Sequence, residues 1–162
     1  MGKQNNKSDF VFQSITLIGI GLIGSSIARA VKKRNDLVQT VTLTDVNAEV
    51  RQKAKEIGLG DHVLDDVTVA VKDADCVILC TPIGNYAEIM QNISNHLKSG
   101  CIVSDVGSVK RAPIADMSPH IPDGVHLVPG HPIAGTEKSG PESGFAELFE
   151  GRYWLLTPSH ET

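Results

Sequence analysis

The sequence predicts an α/β fold of the Rossmann type, with a doubly wound, mainly parallel sheet and helices on both faces. Short apolar runs alternate with segments of helical spacing along nearly all of the 162 residues, as they do where strands and helices alternate in a parallel sheet. Only four Phe, two Tyr and one Trp are present, so the core consists of the aliphatic residues that suit strands buried on both faces. The first apolar run also ends in a glycine-rich turn that opens a helix.

The first half of the chain supplies four strands and three helices. Ile23, Ile27 and Val31 recur at helical spacing. Asn47 is placed to cap the next helix and Gly58 to end it. Strands are therefore predicted over residues 14–20, 38–45, 62–66 and 75–82, and helices over residues 22–34, 47–58 and 67–71.

The second half continues the alternation until a stretch rich in glycine and proline interrupts it. Helices are predicted over residues 85–100, 109–121 and 144–151, and strands over residues 101–108, 124–130 and 152–158. The stretch VPGHPIAGTEKSGPESG (128–144) holds four glycines and three prolines, which exclude a helix or a long strand. A compact domain that places so much irregular backbone in one segment is expected to hold a ligand there.

Composition and charge exclude several classes of function. The net charge of −4 does not favour a nucleic-acid surface. Cys76, Cys80 and Cys101 lie in apolar runs without a C-x-x-C pair, so they are interpreted as small buried residues in a reducing compartment, and no metal site is predicted. No apolar stretch reaches membrane-spanning length and the N-terminus does not resemble a signal peptide, so we expect a cytoplasmic location. Residues 1–12 are expected to form a flexible leader and residues 13–162 one domain.

The turn after the first strand has the spacing of a dinucleotide-binding loop, Gly19-x-Gly21-x-x-Gly24. Gly19 permits a tight turn, Gly21 allows the backbone to approach a pyrophosphate, and Gly24 brings the helix close to the sheet. The helix begins after Gly21, so the free N–H groups of its first residues, Leu22 and Ile23, are expected to face the anion.

Asp45 closes the second strand, 21 residues after Gly24, where such loops place an acid. Its carboxylate is expected to accept hydrogen bonds from the adenine-ribose hydroxyls and to repel a 2′-phosphate. Val46 and Asn47 follow, and no Arg stands beside them to bind a phosphate, so NAD is favoured over NADP. The alternative is that the glycines form an ordinary turn and that Asp45 caps a helix.

Three unusual segments, residues 80–85, 104–110 and 129–140, each follow a predicted strand. In an open parallel sheet the ligand lies beyond the carboxyl ends of the strands, so we expect these segments to converge on the nicotinamide end of a bound cofactor. Pro82 keeps Thr81 out of helical angles and turns the chain outward past the nicotinamide. An ordinary strand end is the alternative for this pair.

His131 is the strongest candidate for a catalytic residue. It is the histidine that stands in the stretch rich in glycine and proline, and Pro132 biases it toward an extended backbone. A neighbouring cationic nicotinamide disfavours a protonated imidazole, and a neutral imidazole is what a general base requires.

Three polar residues of segment 104–110 allow more than one interpretation. Ser108 stands either as the cap of the following helix or against a substrate hydroxyl. Lys110 is either solvated or an anion contact. Asp105, at the end of its strand, is expected to anchor the turn rather than to perform chemistry.

The segments GIGLIGSS, SDVGSVK and GHPIAGTEKSGPESG…LFEGR resemble those of prephenate and arogenate dehydrogenases, which form the precursor of tyrosine. The resemblance covers about residues 15–158, and the histidine segment is far more specific than the glycine motif. It implies that His131 contacts the reacting hydroxyl and that Ser108 assists at the same hydroxyl. Thr136 and Glu137 are implied to shape the substrate pocket and its gating.

The implied reaction is an oxidative decarboxylation with NAD as hydride acceptor. The ring hydroxyl of prephenate loses its proton while hydride leaves the same carbon, and the resulting dienone loses CO₂ to become 4-hydroxyphenylpyruvate. Prephenate and arogenate differ in a side-chain keto or amino group, and the sequence leaves this choice open.

Members of this family carry a further helical domain that dimerises, closes the cleft and supplies an arginine for a substrate carboxylate. The sequence ends at Thr162, so we expect the chain to be the cofactor-binding portion, with an exposed apolar face where that domain docks. A homodimer is expected only together with that domain. Two alternatives remain, a domain of a β-hydroxyacid dehydrogenase and an NAD-binding module without catalytic activity.

Overall fold

A computed structural model describes residues 10–158, and its main sheet has six parallel strands in the order β3-β2-β1-β4-β5-β6. The strands are β1 (Phe12–Ile18), β2 (Val38–Thr44), β3 (His62–Leu64), β4 (Cys76–Leu79), β5 (Ile102–Asp105) and β6 (His126–Leu127). The chain starts in the middle of the sheet and winds outward first in one direction and then in the other, as in the Rossmann fold. The predicted fold class is confirmed.

Five α-helices connect the strands within residues 10–158. They are α1 (Leu22–Lys33), α2 (Ala48–Glu56), α3 (Val67–Val71), α4 (Tyr86–Ile93) and α5 (Arg111–Met117). Asn47 caps α2 as predicted, because its side chain accepts a hydrogen bond from the N–H group of Glu49 (2.8 Å). Helices α4 and α5 are shorter than predicted, since they end in the 3₁₀ turns Ser94–His96 and Ser118–His120. In the second of these turns, Pro119 cannot continue an α-helix.

Helices cover both faces of the sheet. Because successive residues of a strand point to opposite faces, Leu17 packs in a cluster with α1 and α2, whereas its neighbour Ile18 packs in a cluster with α3, α4 and α5. Leu17 is completely buried, and burial of such a side chain stabilises the fold by about 1.5–3 kcal/mol. On the same face as Ile18, the buried Thr16 hydroxyl donates to the main-chain oxygen of Ala70 in α3 (2.6 Å).

A two-stranded antiparallel sheet packs beside β5. It consists of β7 (Gly130–Pro132) and β8 (Trp154–Leu156), with His131 opposite Leu155. The stretch rich in glycine and proline therefore begins as a short strand, and the extended backbone predicted for His131 is confirmed. The last predicted helix is wrong, because the segment forms only the 3₁₀ turn Ala146–Phe149, which is too short to offset the cost of helix nucleation.

Several expectations concern the ends and the surface of the chain. Residues 1–9, most of the expected leader, lie outside the described residues, while Phe12 already belongs to β1. Beside and along the last strand, Tyr153, Leu155 and Leu156 are more than half exposed, and the docking of a further domain on an apolar face stays a prediction. No helix within residues 10–158 combines the length and the apolar character needed to cross a bilayer.

The three cysteines are free thiols, as predicted. Cys76 and Cys101 are buried, and Cys80 is half-buried. Burial raises the pKa of Cys76 to about 12 and that of Cys101 to about 11. Both thiols therefore stay protonated, and unreactive, at neutral pH.

Asp75 joins the amino ends of β1 and β4. Its Oδ2 accepts hydrogen bonds from the N–H groups of Gln13 (2.7 Å) and Ser14 (3.0 Å), and its Oδ1 pairs with the Lys98 ammonium at 2.6 Å. Burial raises the pKa of Asp75, but the Lys98 ammonium and the two N–H groups outweigh burial and hold the pKa below its ordinary value. The carboxylate form of Asp75 therefore stabilises the folded state.

Asp75→Asn is expected to lower the free energy of unfolding at pH 7 by about 1 kcal/mol, because solvent partly screens this ion pair. A carboxylate whose pKa is lowered by folding stabilises the protein above its unfolded pKa, and the contribution is lost as the pH falls through the folded pKa. The difference in free energy of unfolding between wild type and variant, measured by urea unfolding, should therefore be full at pH 7, begin to narrow below about pH 4, and be smaller at about pH 3. Asp123→Asn, at an exposed carboxylate, is the control, and an equal gap at both pH values would contradict the assignment.

Candidate active site

Backbone hydrogen bonds tie together the loops that follow β2, β1, β4 and β5. The bonds that join neighbouring strand ends are Gly19 N–H to Thr44 O (2.8 Å), Cys80 N–H to Ile18 O (2.7 Å) and Val106 N–H to Leu79 O (3.2 Å). Because the strands are parallel, all of these loops leave the sheet at one edge, where α/β folds bind ligands. Segments 80–85 and 104–110 therefore begin at this edge, as predicted, whereas their convergence with segment 129–140 on a nicotinamide stays a prediction.

The glycine turn is built as the motif predicts. Gly19 has φ +97°, which favours glycine, and a Cβ there would lie 2.8 Å from the main-chain carbon of Cys80. A Cβ on Gly24 would overlap the main-chain oxygen of Gly19, whereas a Cβ on Gly21 would meet no protein atom within 4 Å. Two glycines thus pack the turn against the helix and the next loop, and Gly21 leaves open space in front of it.

Helix α1 begins directly after this turn and presents unpaired N–H groups. Gly21 is its N-cap, and within the described residues no side chain caps it. Ser25 has the first N–H group that forms a hydrogen bond of the helix, and it donates to Gly21 O (3.0 Å). The N–H groups of Leu22, Ile23 and Gly24 are therefore available to an anion, and the helix dipole favours negative charge at this end.

Asp45 stands beside the glycine turn and is anchored to it. Its Oδ2 accepts from the N–H group of Ile20 (2.8 Å) and its Oδ1 from that of Asn47 (2.9 Å). With Gly19 and Gly21 it lines a cavity of about 460 Å³. A carboxylate has about four acceptor positions, so two remain for hydroxyl groups of a ligand.

Thr81 and Pro82 line the same cavity from the loop after β4. The Thr81 hydroxyl is buried and, among the described residues, has no hydrogen-bond partner. Buried hydroxyl groups nearly always have one. The role of Thr81 and Pro82 as cofactor contacts stays a prediction.

Asp105 connects the loop after β5 with the strand that contains the histidine. It is completely buried, and its carboxylate accepts from the N–H groups of Gly107 (2.8 Å) and Gly130 (3.1 Å) and from the Lys110 ammonium. Lys110 also donates to the main-chain oxygen of Gly130 (2.5 Å). Burial, and after it the charge of Asp105, raises the pKa of the neighbouring Tyr86. The anchoring role predicted for Asp105 is confirmed, and Lys110 is its ion-pair partner rather than a solvated side chain.

Ser108 and His131 each directly follow a glycine whose N–H group donates to Asp105. Ser108 is exposed and lies between Gly107 and Lys110, while the half-buried His131 directly follows Gly130. Within the described residues neither side chain has a hydrogen-bond partner in the protein. The interpretation of Ser108 as a helix cap is wrong, because Asp105 organises the turn and α5 begins only at Arg111, with Lys110 as its N-cap.

Thr136 and Glu137 are exposed in the loop that follows β7. The Thr136 hydroxyl accepts from the N–H group of Lys138 (3.2 Å). The loop then crosses to α1, where Arg29 donates to the oxygen of Pro141 (2.9 Å) and the Ser26 hydroxyl accepts from the N–H group of Phe145 (3.1 Å). The segment that was expected to hold a ligand thus runs from His131 to the helix of the glycine turn.

Some residues around the site gave no signal in the sequence. The contacts of Ser26 and Arg29 with this loop join segments more than one hundred residues apart, and no local pattern indicates them. Arg51 of α2 donates to the main-chain oxygens behind the Asp45 carboxylate. The sequence signal that could have indicated this contact is the position of Arg51, six residues after Asp45.

Comparison with known proteins decides the family. The family described as "Prephenate dehydrogenase, nucleotide-binding domain" matches residues 27–162. The chain belongs to this family. The resemblance found in the sequence is therefore confirmed, and residues 27–162, which follow the glycine turn directly, match a nucleotide-binding domain.

Individual members show how much of the longer proteins this domain represents. A cyclohexadienyl dehydrogenase of Zymomonas mobilis is 44% identical over 152 residues, which are 94% of this chain and 51% of that protein. The prephenate dehydrogenase of A. aeolicus, solved with hydroxyphenyl propionate and NAD⁺, matches with a TM-score of 0.82 and 32% identity over 93% of this chain and 52% of its own. A Synechocystis arogenate dehydrogenase matches with a TM-score of 0.82 and 30% identity over 91% and 51%. The chain spans about half the length of these relatives.

The glycine turn yields a pair of opposed predictions. Gly24→Ala is expected to destabilise the fold by about 1–3 kcal/mol, because its Cβ overlaps the Gly19 oxygen. Gly21→Ala is expected to destabilise the fold by less than about 1 kcal/mol, because alanine is a poorer N-cap than glycine, but to weaken NAD⁺ binding strongly, since its methyl group enters the open space. Urea unfolding and isothermal titration calorimetry separate the two effects. Gly135→Ala, also in open space, is the control, and undiminished NAD⁺ binding by Gly21→Ala would refute this reading of the turn.

Proposed function

We propose that this chain forms the NAD-binding part of a prephenate or arogenate dehydrogenase, which carries out an oxidative decarboxylation in tyrosine biosynthesis. The proposal is carried by the arrangement of one edge of the sheet. The cavity at the glycine turn and the strand of His131 both adjoin the carboxyl ends of the parallel strands. The relative from A. aeolicus, which shares this fold, was solved in complex with hydroxyphenyl propionate and NAD⁺.

The residues of the cavity suit a dinucleotide. The open space at Gly21 and the N–H groups that begin α1 fit a pyrophosphate. The free acceptor positions of Asp45 fit the ribose hydroxyls, and its charge disfavours the 2′-phosphate of NADP⁺. Thr81 and Pro82, which line the cavity from the loop after β4, are proposed to lie beside the nicotinamide. When bound, NAD⁺ supplies the hydride acceptor for the oxidation.

His131 is the proposed general base of the reaction. Its imidazole takes the proton of the ring hydroxyl as hydride leaves the same carbon, and a positioned base contributes about 10²–10⁴-fold to the rate. Gly130, which Lys110 and Asp105 hold from both sides, fixes where the imidazole stands. The exposed Ser108 hydroxyl is proposed to hydrogen-bond to the same substrate oxygen.

The substrate side of the site is proposed to include Thr136 and Glu137, which lie exposed in the loop after β7. The second half that the relatives carry would close this pocket, dock on the exposed apolar side chains of β8 and form the homodimer. A cytoplasmic location fits the three free thiols. Whether the enzyme prefers prephenate or arogenate is decided by groups that bind the keto or amino end of the substrate.

His131→Asn is expected to lower turnover about 10²–10⁴-fold, because the substrate hydroxyl then has no base. Affinity for NAD⁺ is expected to stay as in the wild type, since His131 lies outside the cavity at the glycine turn. The measurements are steady-state kinetics of the complete gene product that contains this chain, with prephenate and arogenate, and titration calorimetry of this chain with NAD⁺.

His126→Asn, at an exposed histidine of β6, is the matched control and should behave as the wild type. Full turnover by His131→Asn would contradict the assignment of the base. Oxidation of small β-hydroxy acids in place of both ring substrates would support the β-hydroxyacid alternative. Binding of NAD⁺ without turnover of any of these substrates would indicate a binding module.

A further inference from the structure

Arg51 brings a positive charge to the end of β2. The residues that directly follow Asp45 in the sequence, Val46 and Asn47, carry no such charge. It lies on α2, six residues after Asp45 in the sequence. Its Nη1 donates to the main-chain oxygens of Asp45 (2.7 Å) and Val46 (3.0 Å). The guanidinium is thus held against the residue whose carboxylate is proposed to bind the adenine ribose.

The charge of Arg51 is not neutralised by a carboxylate. Within the described residues it forms no ion pair, and its remaining N–H groups have no hydrogen-bond acceptor. On the same helix, by contrast, Lys53 pairs with Glu142 at 3.1 Å. A guanidinium carries five N–H donors in a planar fork that matches the oxygens of a phosphate, and the two main-chain oxygens engage only one of its nitrogens.

Asp45 stands between this guanidinium and the cavity. The carboxylate is fixed by the N–H groups of Ile20 and Asn47, and Asp45 and Val46 line the cavity. Arg51 donates to the main-chain oxygens of the same two residues but is not among the residues that line the cavity. A ligand that enters the cavity therefore meets the negative charge before the positive one.

We propose that Arg51 is a specificity residue for the ribose 2′ position, a donor that attracts a 2′-phosphate but whose attraction the repulsion by the Asp45 carboxylate outweighs. This inference rests on the proposed function, because it requires a dinucleotide with its adenine ribose at the end of β2. The carboxylate repels an approaching 2′-phosphate. The guanidinium, which is already oriented, attracts the same phosphate, and this attraction dominates once the charge of Asp45 is removed. The balance of the two residues sets the preference for NAD⁺ over NADP⁺.

The test is titration calorimetry of this chain with NAD⁺ and with NADP⁺, for the wild type, Asp45→Asn, Arg51→Gln and the double variant. The wild type is expected to bind NAD⁺ more tightly. Asp45→Asn is expected to move the ratio of the two dissociation constants toward NADP⁺ by about tenfold or more. The double variant should lose most of this gain, because the phosphate then has no guanidinium to pair with.

Arg51→Gln alone tests the inference even if Asp45→Asn disturbs the glycine turn. It is expected to weaken NADP⁺ binding severalfold and to leave NAD⁺ binding unchanged. Lys55→Gln, which removes an exposed positive charge from the same helix, is the matched control and should change neither affinity.

The outcomes separate the inference from the function on which it rests. If Asp45→Asn raises the affinity for NADP⁺ equally with and without Arg51, the proposed role of Arg51 is overturned. The same holds if Arg51→Gln alone leaves the affinity for NADP⁺ unchanged. In both cases NAD⁺ binding by the wild type would still support the proposed function. A wild-type chain that binds neither dinucleotide would refute the proposed function and the inference together.

Discussion

The buried carboxylate of Asp105 is the group on which the arrangement of the site depends. It accepts hydrogen bonds from the N–H group of Gly107, in the loop after β5, and from that of Gly130, in the strand that continues into His131. Lys110 balances its charge and holds the oxygen of Gly130 as well. A buried charge that loses its partner costs about 3–5 kcal/mol, so folding of the domain strongly favours the arrangement in which all three partners are present. The position of His131 follows from these contacts and from the pairing of β7 with β8, and not from the main sheet, whose strands end before it.

A similar arrangement at the opposite edge of the sheet serves stability without chemistry. Asp75 also accepts two backbone N–H groups and pairs with a lysine, Lys98, but this pair is partly exposed. Its effect is to join the amino ends of the strands. At the carboxyl edge, where parallel strands leave room for a ligand, Asp105 joins the loops that surround the site. The same chemistry therefore contributes to the fold at one edge and to the geometry of the site at the other.

The sequence allowed the main sheet, the glycine turn and Asp45 to be predicted, because each depends on a local pattern of apolar residues, glycines or spacing. The pairing of β7 with β8 could not be predicted, since strands of three residues have almost no periodicity and are determined by tertiary contacts. The cap interpretation of Ser108 failed for a related reason, because a buried carboxylate three residues earlier organises that turn. Arg51 was missed because only the geometry of α2 returns its side chain to the end of β2.

Amide hydrogen exchange of Asp105→Asn tests most directly whether Asp105 positions the strand of His131. An asparagine cannot balance the Lys110 charge or accept from both glycine N–H groups as a carboxylate does. If Asp105 positions the strand of His131, we expect amide exchange at Gly107 and Gly130 to become about tenfold faster or more, while the amides of β1 and β2 keep their protection. Asp75→Asn, with the same change of charge at the other edge, should leave Gly107 and Gly130 as in the wild type. Unchanged protection of both glycines in Asp105→Asn would contradict the account.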